Sequence, residues 1–383
     1  MLFRSNRKSF LVLVVVLLVV GGAGLALFWQ DISAWRSGGG RIGFKPFEKL
    51  PANEVAQINL YDGSNQTTLT LKDGRWVLKE RADYPASVQE IGDLLVKLPD
   101  WKVVQTESVG ASLLPRLNLL APPAGGKAAE KNDGMGTQLE LSDKGGKQLG
   151  SVLLGKIVTK KEPSPLPVQQ ETPVGRYVLT TATPTVLVMS DALKNATAKP
   201  DAWLAREFFK ADRIKSLASS GDNASWKIAR KEEYDPWKFA DGGELDPSKA
   251  VAAANSFNDL KFVDVATGMK PESLEKPRTF VADTYDNLVY TLKVARKADS
   301  DDYYMTVSVT GEPPRARTPE PNEKAEDKDK RDKQFAETLK KLDDRVKAEK
   351  ALGTWVYVVS GKTLEPLLKT RSDLTAQAAP KKK

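Results

Sequence analysis

Neither cysteine nor histidine occurs among the 383 residues of this chain. The missing cysteine excludes disulfides, thiolate metal ligands, thiol nucleophiles and a lipidated cysteine anchor. The missing histidine excludes a Ser-His-Asp triad, imidazole acid–base work and the usual zinc sites. Carboxylate pairs, Ser-Lys dyads and all-oxygen cation sites stay open. Clustered positive charge is also scarce. The net charge is +8, yet Arg4, Arg7 and Lys8 at one tip and Lys381, Lys382 and Lys383 at the other supply most of it. The body between has no basic stripe with interleaved aromatics, so no nucleic-acid partner is expected. The length suits two ordinary domains, and 40% hydrophobic content can fill their cores.

One stretch is long and apolar. "FLVLVVVLLVVGGAGLALF", residues 10–28, carries no charge. At ~1.5 Å per residue it suits a hydrocarbon core of ~30 Å. Cations precede it, Trp29 and Trp35 follow it, and the next charge is Asp31. The expectation is a basic cytoplasmic tip (1–9), a single-pass anchor in the inner (cytoplasmic) membrane (10–28) and a Gly-rich tether (29–46), with the bulk periplasmic or otherwise extracytoplasmic. A cleaved signal peptide is the competing reading, since Gly24-Leu25-Ala26 offers small residues for cleavage.

After the tether the chain repeats itself. "DGRWVLKERADYPAS" (73–87) has a counterpart in "YDPWKFADGGELDPS" (234–248), with Trp76 on Trp237, Pro85 on Pro247 and Ser87 on Ser248. A Pro-started helix is expected after each, with Val88, Ile91, Leu94, Leu95 and Leu98 on one face of the first and Val251, Ala254 and Phe257 on the second. "LPDWKVV" (98–104) then answers "FNDLKFV" (257–263), and "LELSDKGGKQLGSVLLGK" (139–156) answers "FVADTYDNLVYTLKVARK" (280–297) without a gap, each a hairpin. "VLVMSDALKNA" (186–196) matches "VYVVSGKTLEPL" (356–367). The fold class expected is α+β, with two tandem related domains (47–205 and 206–374), each a mainly antiparallel sheet with helices. Residues 375–383 read as a disordered basic tail.

Two insertions interrupt the repeat, a polar loop at 121–136 and a longer one between Gly311 and Gly353. The second opens Pro-rich and continues as a charged helix over about 322–352. Phe335, Leu339, Leu342 and Val346 recur there at heptad-like steps. This seam either folds back on its own domain or offers itself as a partner-docking surface.

Other motifs point to structure. "GSVLLGKI" (150–157) begins like a phosphate-binding loop but has Ile157 where Ser or Thr is needed, so it reads as a strand. Asp299–Asp302 reads as a solvated turn, because Tyr304 and Thr310 stand where a calcium loop wants Gly and Glu. Trp76, Tyr84, Trp101, Tyr234 and Trp237 could line a sugar groove, but Trp76 and Trp237 read as core anchors of their sheets. Sequons stand at Asn65, Asn195 and Asn223. No catalytic, cofactor-binding or metal-binding residue is singled out, and no cofactor is expected.

Taken with "INLYDG", "LLVKLPDWKVV", "LGSVLLGK", "GRYVL" and "AWLAREFFKADRIKSLA", the arrangement over about 50–370 resembles the bacterial domain-of-unknown-function family four-three-four-zero. That resemblance implies an accessory role beside ABC transport systems of the gliding-motility type. It supplies no catalytic residues, and the long charged insertion departs from its pattern. The expected function is therefore a non-enzymatic, membrane-anchored accessory or scaffold of a cell-envelope complex, with transporter subunits or another envelope protein as partners. The alternative is an extracytoplasmic module that binds an envelope glycan or peptide. A carboxylate-based hydrolase ranks last.

Overall fold

The computed structural model describes residues 42–126, 132–162, 170–180, 183–221, 225–319 and 323–376. Outside them lie the basic tip, the run expected as an anchor, the tether up to residue 41, part of the 121–136 loop, Asn223 and most of the tail. Among the described residues no helix is long and apolar enough to cross a membrane. The chain forms two compact units. One runs up to Lys79 and resumes over Ala86–Trp203; the other joins Glu80–Pro85 to the chain from Leu204 onward.

The first sheet contains β1 (Val55–Tyr61), β2 (Gln66–Lys72), β3 (Arg75–Leu78), β4 (Tyr84–Pro85), β5 (Val103–Glu107), β6 (Thr137–Asp143), β7 (Gln148–Glu162), β8 (Gln170–Thr180) and β9 (Thr183–Met189), in the spatial order β4-β3-β2-β1-β6-β7-β8-β9-β5. The second contains β10 (Ile214–Ser220), β11 (Trp226–Ala229), β12 (Lys238–Phe239), β13 (Asp264–Val265), β14 (Arg278–Thr284), β15 (Leu288–Arg296), β16 (Asp302–Gly311) and β17 (Tyr357–Ser360), in the order β12-β11-β10-β14-β15-β16-β17-β13. Without β4 the two orders are the same. In each, a helix carries the chain between the meander and the far-edge strand: α1 (Val88–Lys97) or α2 (Pro247–Asn258). The pairings are antiparallel, so the α+β expectation holds. Alternation drives the sheets: β14 buries every second residue, with Phe280 and Ala282 at 0% exposure.

Strand register tests the repeat residue by residue. Ile58 faces Leu69 and Leu141, as Leu217 faces Ile228 and Ala282. Leu71 faces Trp76, and the guanidinium of Arg230 lies 4.8 Å over the Trp237 ring, so the two tryptophans are equivalent as expected. The gapless hairpin alignment is corrected. Leu141 faces Gly150 while Ala282 faces Tyr290, so Gly150 corresponds to Tyr290 and not to Thr291. The slip comes from a register shift in unit one, where Ser142 faces Gln148 and Leu149 is left over as a bulge.

The second helix starts at its proline, Pro247, as expected, and the first does not. Ser87 is the N-cap of α1, its hydroxyl accepting from the Glu90 N–H, and Pro85 lies in a strand. Asp246 caps α2 and accepts from the Ser248 and Lys249 N–H groups, with Pro247 in the first turn. Ser87 thus corresponds to Asp246 and Pro85 to Glu244. Ile91, Leu94 and Leu98 are buried, whereas Val88 and Val251 lie exposed off the core face.

Buried arginines hold the segments that follow the last central strands. Arg176 in β8 is 8% exposed. It donates from Nε to Gly155 O at 2.8 Å and from one Nη to the carbonyls of Ala192, Leu193 and Ala196. Burial pulls its pKa down to about 10. Leu193, whose carbonyl faces this cation, is held at φ 41°. In unit two Arg278 donates to Leu368 O and Lys369 O, both at 2.6 Å, and to the Ser219 hydroxyl. The two arginines start from different strands and hold comparable segments.

Glycine substitutions at two positions separate packing from propensity. A Cβ at Gly155 would stand 2.6 Å from Leu117 O, whereas one at Gly92, inside α1, meets nothing within 4 Å. Gly155→Ala is expected to destabilise unit one by ~1–3 kcal/mol. Gly92→Ala should stabilise it by ~0.5–1 kcal/mol. Denaturant titration of both variants checks the pair; equal midpoints would contradict it.

Candidate functional site

Among the described residues the longest helix is α3 (Ala325–Ala351), the charged part of the insertion between β16 and β17. Its N-cap, Lys324, makes no side-chain cap bond. Ion pairs instead fix this end to the preceding segment. Arg317 binds both oxygens of Glu323 at 2.8 Å and reaches Asp332 at 2.7 Å. Arg331 adds a 3.3 Å pair to the same Glu323, and Arg315 meets Asp343 at 2.7 Å. Hydrogen bonds to Glu323 and then Asp332 hold the Arg317 guanidinium above its ordinary pKa.

The other end is pinned by a buried carboxylate. Glu349 is 4% exposed. Oε1 accepts the Lys210 N–H at 2.9 Å and Oε2 accepts the Tyr290 hydroxyl at 2.8 Å. Arg345, one turn earlier, lies 3.6 Å from Oε1 and donates to Asp212 at 2.7 Å. Burial raises the Glu349 carboxyl above its ordinary value, against the opposing pull of the Lys210 N–H, Tyr290 and Arg345. Burial, then the facing Glu349 charge, also raises Tyr290. The helix is therefore joined at both ends to residues of its own unit.

The expected seam is graded along this helix. Val346 is buried at 5% exposure, while Phe335, Leu339 and Leu342 are half-buried. Glu337, Lys340, Lys341, Lys347 and Lys350 stay exposed on the rest of the surface. Sequence periodicity found the apolar seam. It missed Glu349, whose burial depends on Lys210 and Tyr290, distant in the chain.

The remaining candidates resolve into structure. Gly150–Ile157 lies within β7, where a Cβ at Gly150 would meet the Phe47 ring at 2.6 Å. Asp299–Asp301 is a turn with Asp299 at φ 54°, and Asp302 opens β16; among the described residues no cluster of acidic side chains could hold a metal. The aromatic set is divided between the units: Trp76 and Trp101 belong to unit one, Tyr84, Tyr234 and Trp237 to unit two. Trp76 and Trp237 are half-buried, so the expectation of core anchors is corrected; Leu78, Phe239, Trp101 and Trp203 fill the cores. Asn65 and Asn195 donate to Asp62 and to Glu90 O.

A family model described as a domain of unknown function matches residues 76–277. No curated protein and no solved structure matches the chain.

Glu349 gives the helix a pH-dependent hold. Its folded pKa is raised, so ionised Glu349 costs stability at neutral pH and the cost fades as pH falls through that pKa. Wild type should gain stability relative to Glu349→Gln as pH falls from neutral towards the ordinary carboxylate range, read as the difference between their denaturation midpoints. Glu349→Ala leaves the Lys210 N–H without an acceptor and the Tyr290 hydroxyl with the Lys210 carbonyl alone, and should cost ~1–3 kcal/mol at neutral pH. A pH-independent difference between wild type and the Gln variant would contradict this.

Proposed function

From a chain that belongs to the DUF4340 family, a domain of unknown function, we propose a membrane-anchored accessory protein of a cell-envelope complex that works by holding partners and not by catalysis. The apolar run at residues 10–28 would serve as its single-pass anchor and place both units outside the cytoplasm. An ABC transport system of the gliding-motility type is the complex proposed, and its membrane-embedded subunits are the partners.

The observation that carries this reading is the pinned helix α3. It interrupts a fold whose other unit does without it, since β16 and β17 are joined through 27 helical residues where β8 and β9 nearly abut. Both its ends are tied to its own unit by ion pairs and by the Glu349 bonds. A polar helix held this way loses little conformational entropy when a partner docks on its outer face. Interleaved charges on that face suit recognition by complementary charge.

The test is crosslinking of the full chain in membranes, followed by identification of captured proteins. Beside it runs a Lys340→Glu/Lys341→Glu variant, which alters only exposed positions of α3. Transporter subunits should come down with the native chain and be depleted at least about tenfold by the double reversal. Capture of no membrane-embedded transporter subunit by the native chain would sink the reading. Undiminished capture by the variant would remove α3 as the docking element.

A further inference from the structure

Because the two units share one scaffold, equivalent positions can be compared directly. Register makes Arg230 the counterpart of Leu71, and the common helix frame makes Val251, Asn255 and Asn258 the counterparts of Gly92, Val96 and Pro99. At three of these positions unit two carries a polar or charged group where unit one is apolar. All three, with Trp237 and Val251, line one pocket of about 190 Å³ beside α2.

The chemistry of that pocket is uneven. Arg213 also lines it, but its charge is taken by Glu233 at 2.9 Å and Asp286 at 2.6 Å. Arg230 is different. Its Nε donates to Ile214 O at 2.9 Å and its plane lies 4.8 Å over the Trp237 ring, which fix the guanidinium in place. Its terminal nitrogens have no hydrogen-bond partner, and no carboxylate pairs with it, among the described residues. The neighbouring Asp235 spends one oxygen on the Glu232 N–H. On the helix side the Oδ1 of Asn258 is buried and receives no hydrogen bond. The pocket therefore offers a preorganised fork for a planar anion and an apolar wall at Val251, with the buried Asn258 Oδ1 behind the lining and out of a ligand's reach.

We propose that this pocket of unit two binds a small carboxylate with an apolar substituent on the neighbouring carbon, such as the C-terminus of a peptide or a free N-acyl amino acid. The carboxylate would take the terminal N–H groups of Arg230 bidentately. The apolar substituent beside the carboxylate would lie against Val251. The volume admits about one residue, which matches a terminal unit and not an internal stretch of chain. This inference stands apart from the accessory role, since it uses no residue of α3.

Calorimetric titration of the full chain in detergent tests it, with N-acetyl-alanine, its C-terminal amide, and N-acetyl-alanyl-alanine as probes. Saturable binding of N-acetyl-alanine is expected, with loss of at least about tenfold in affinity for the amide. Arg230→Leu, which installs the residue that unit one already carries, should weaken carboxylate binding by a similar factor. Tighter binding of the dipeptide would assign a peptide terminus, and equal binding a free N-acyl amino acid; both support the site. Equal affinity for acid and amide, unchanged binding by a folded Arg230→Leu variant, or no saturable binding of any probe would overturn it. The acid–amide comparison needs no variant, so it decides the matter even if Arg230→Leu does not fold.

Discussion

Each unit depends on an edge position that is filled late. After a three-strand meander the chain crosses to place β5 or β13 at the far edge, and that strand's partner, β9 or β17, comes much later in sequence. Val103 pairs with Met189, so a large loop must close before the edge strand has its ladder. Until then the crossover helix and its caps hold the strand near its place, joined in unit one by the backbone bonds of Gly43 and Phe44 to Val103. This explains why the caps, at Ser87 and Asp246, keep equivalent positions while the residues themselves differ. Non-local pairing of this kind favours slow folding, with local hairpins such as β6–β7 and β14–β15 forming first.

The buried arginines meet the same constraint from the other side. Once β9 or β17 is laid down, the segment after it must stay against the unit. Arg176 does this with carbonyl acceptors and no carboxylate, so its charge stays partly uncompensated and its pKa falls. A lysine there could not reach Gly155 O and the 192–196 carbonyls with fixed geometry, because it lacks the planar fork. Glu349 performs a related task for α3, with opposite charge and backbone and phenol donors.

Much of the fold was legible because hydrophobic period and order survive divergence. The pairs Leu187 with Tyr357 and Val188 with Val358, aligned from sequence, fall in register against Val178 and Met305 and against Tyr177 and Tyr304. The bulge at Leu149 was not legible, since it leaves the apolar pattern intact while shifting every later partner by one. The half-exposure of Trp76 and Trp237 was hidden for another reason. A large aromatic residue on an alternating strand looks the same whether its partner is a core leucine or, as for Trp237, an arginine. Of the site on α3, the seam showed through its spacing and the Glu349 anchor did not. Arg230, Asn255 and Asn258 are scattered in sequence and converge only once α2 is set against its sheet.

The short excursion Glu80–Pro85 has its own consequence. Within unit two, the Tyr84 ring sits 5.0 Å from Trp355 and 5.8 Å from Phe262, and Arg81 clasps both oxygens of Asp264. Trp355 also donates to Ala82 O, and the Ala205 N–H to Pro85 O. Unit two is therefore not a contiguous stretch of chain. A ribosome that has released only the first half has already synthesised Arg81 and Tyr84, whose partners Asp264, Phe262 and Trp355 come only with the second half. The duplication has become a thread that neither copy can be unpicked from, and gene fragments cut at the apparent boundary would not inherit a whole domain.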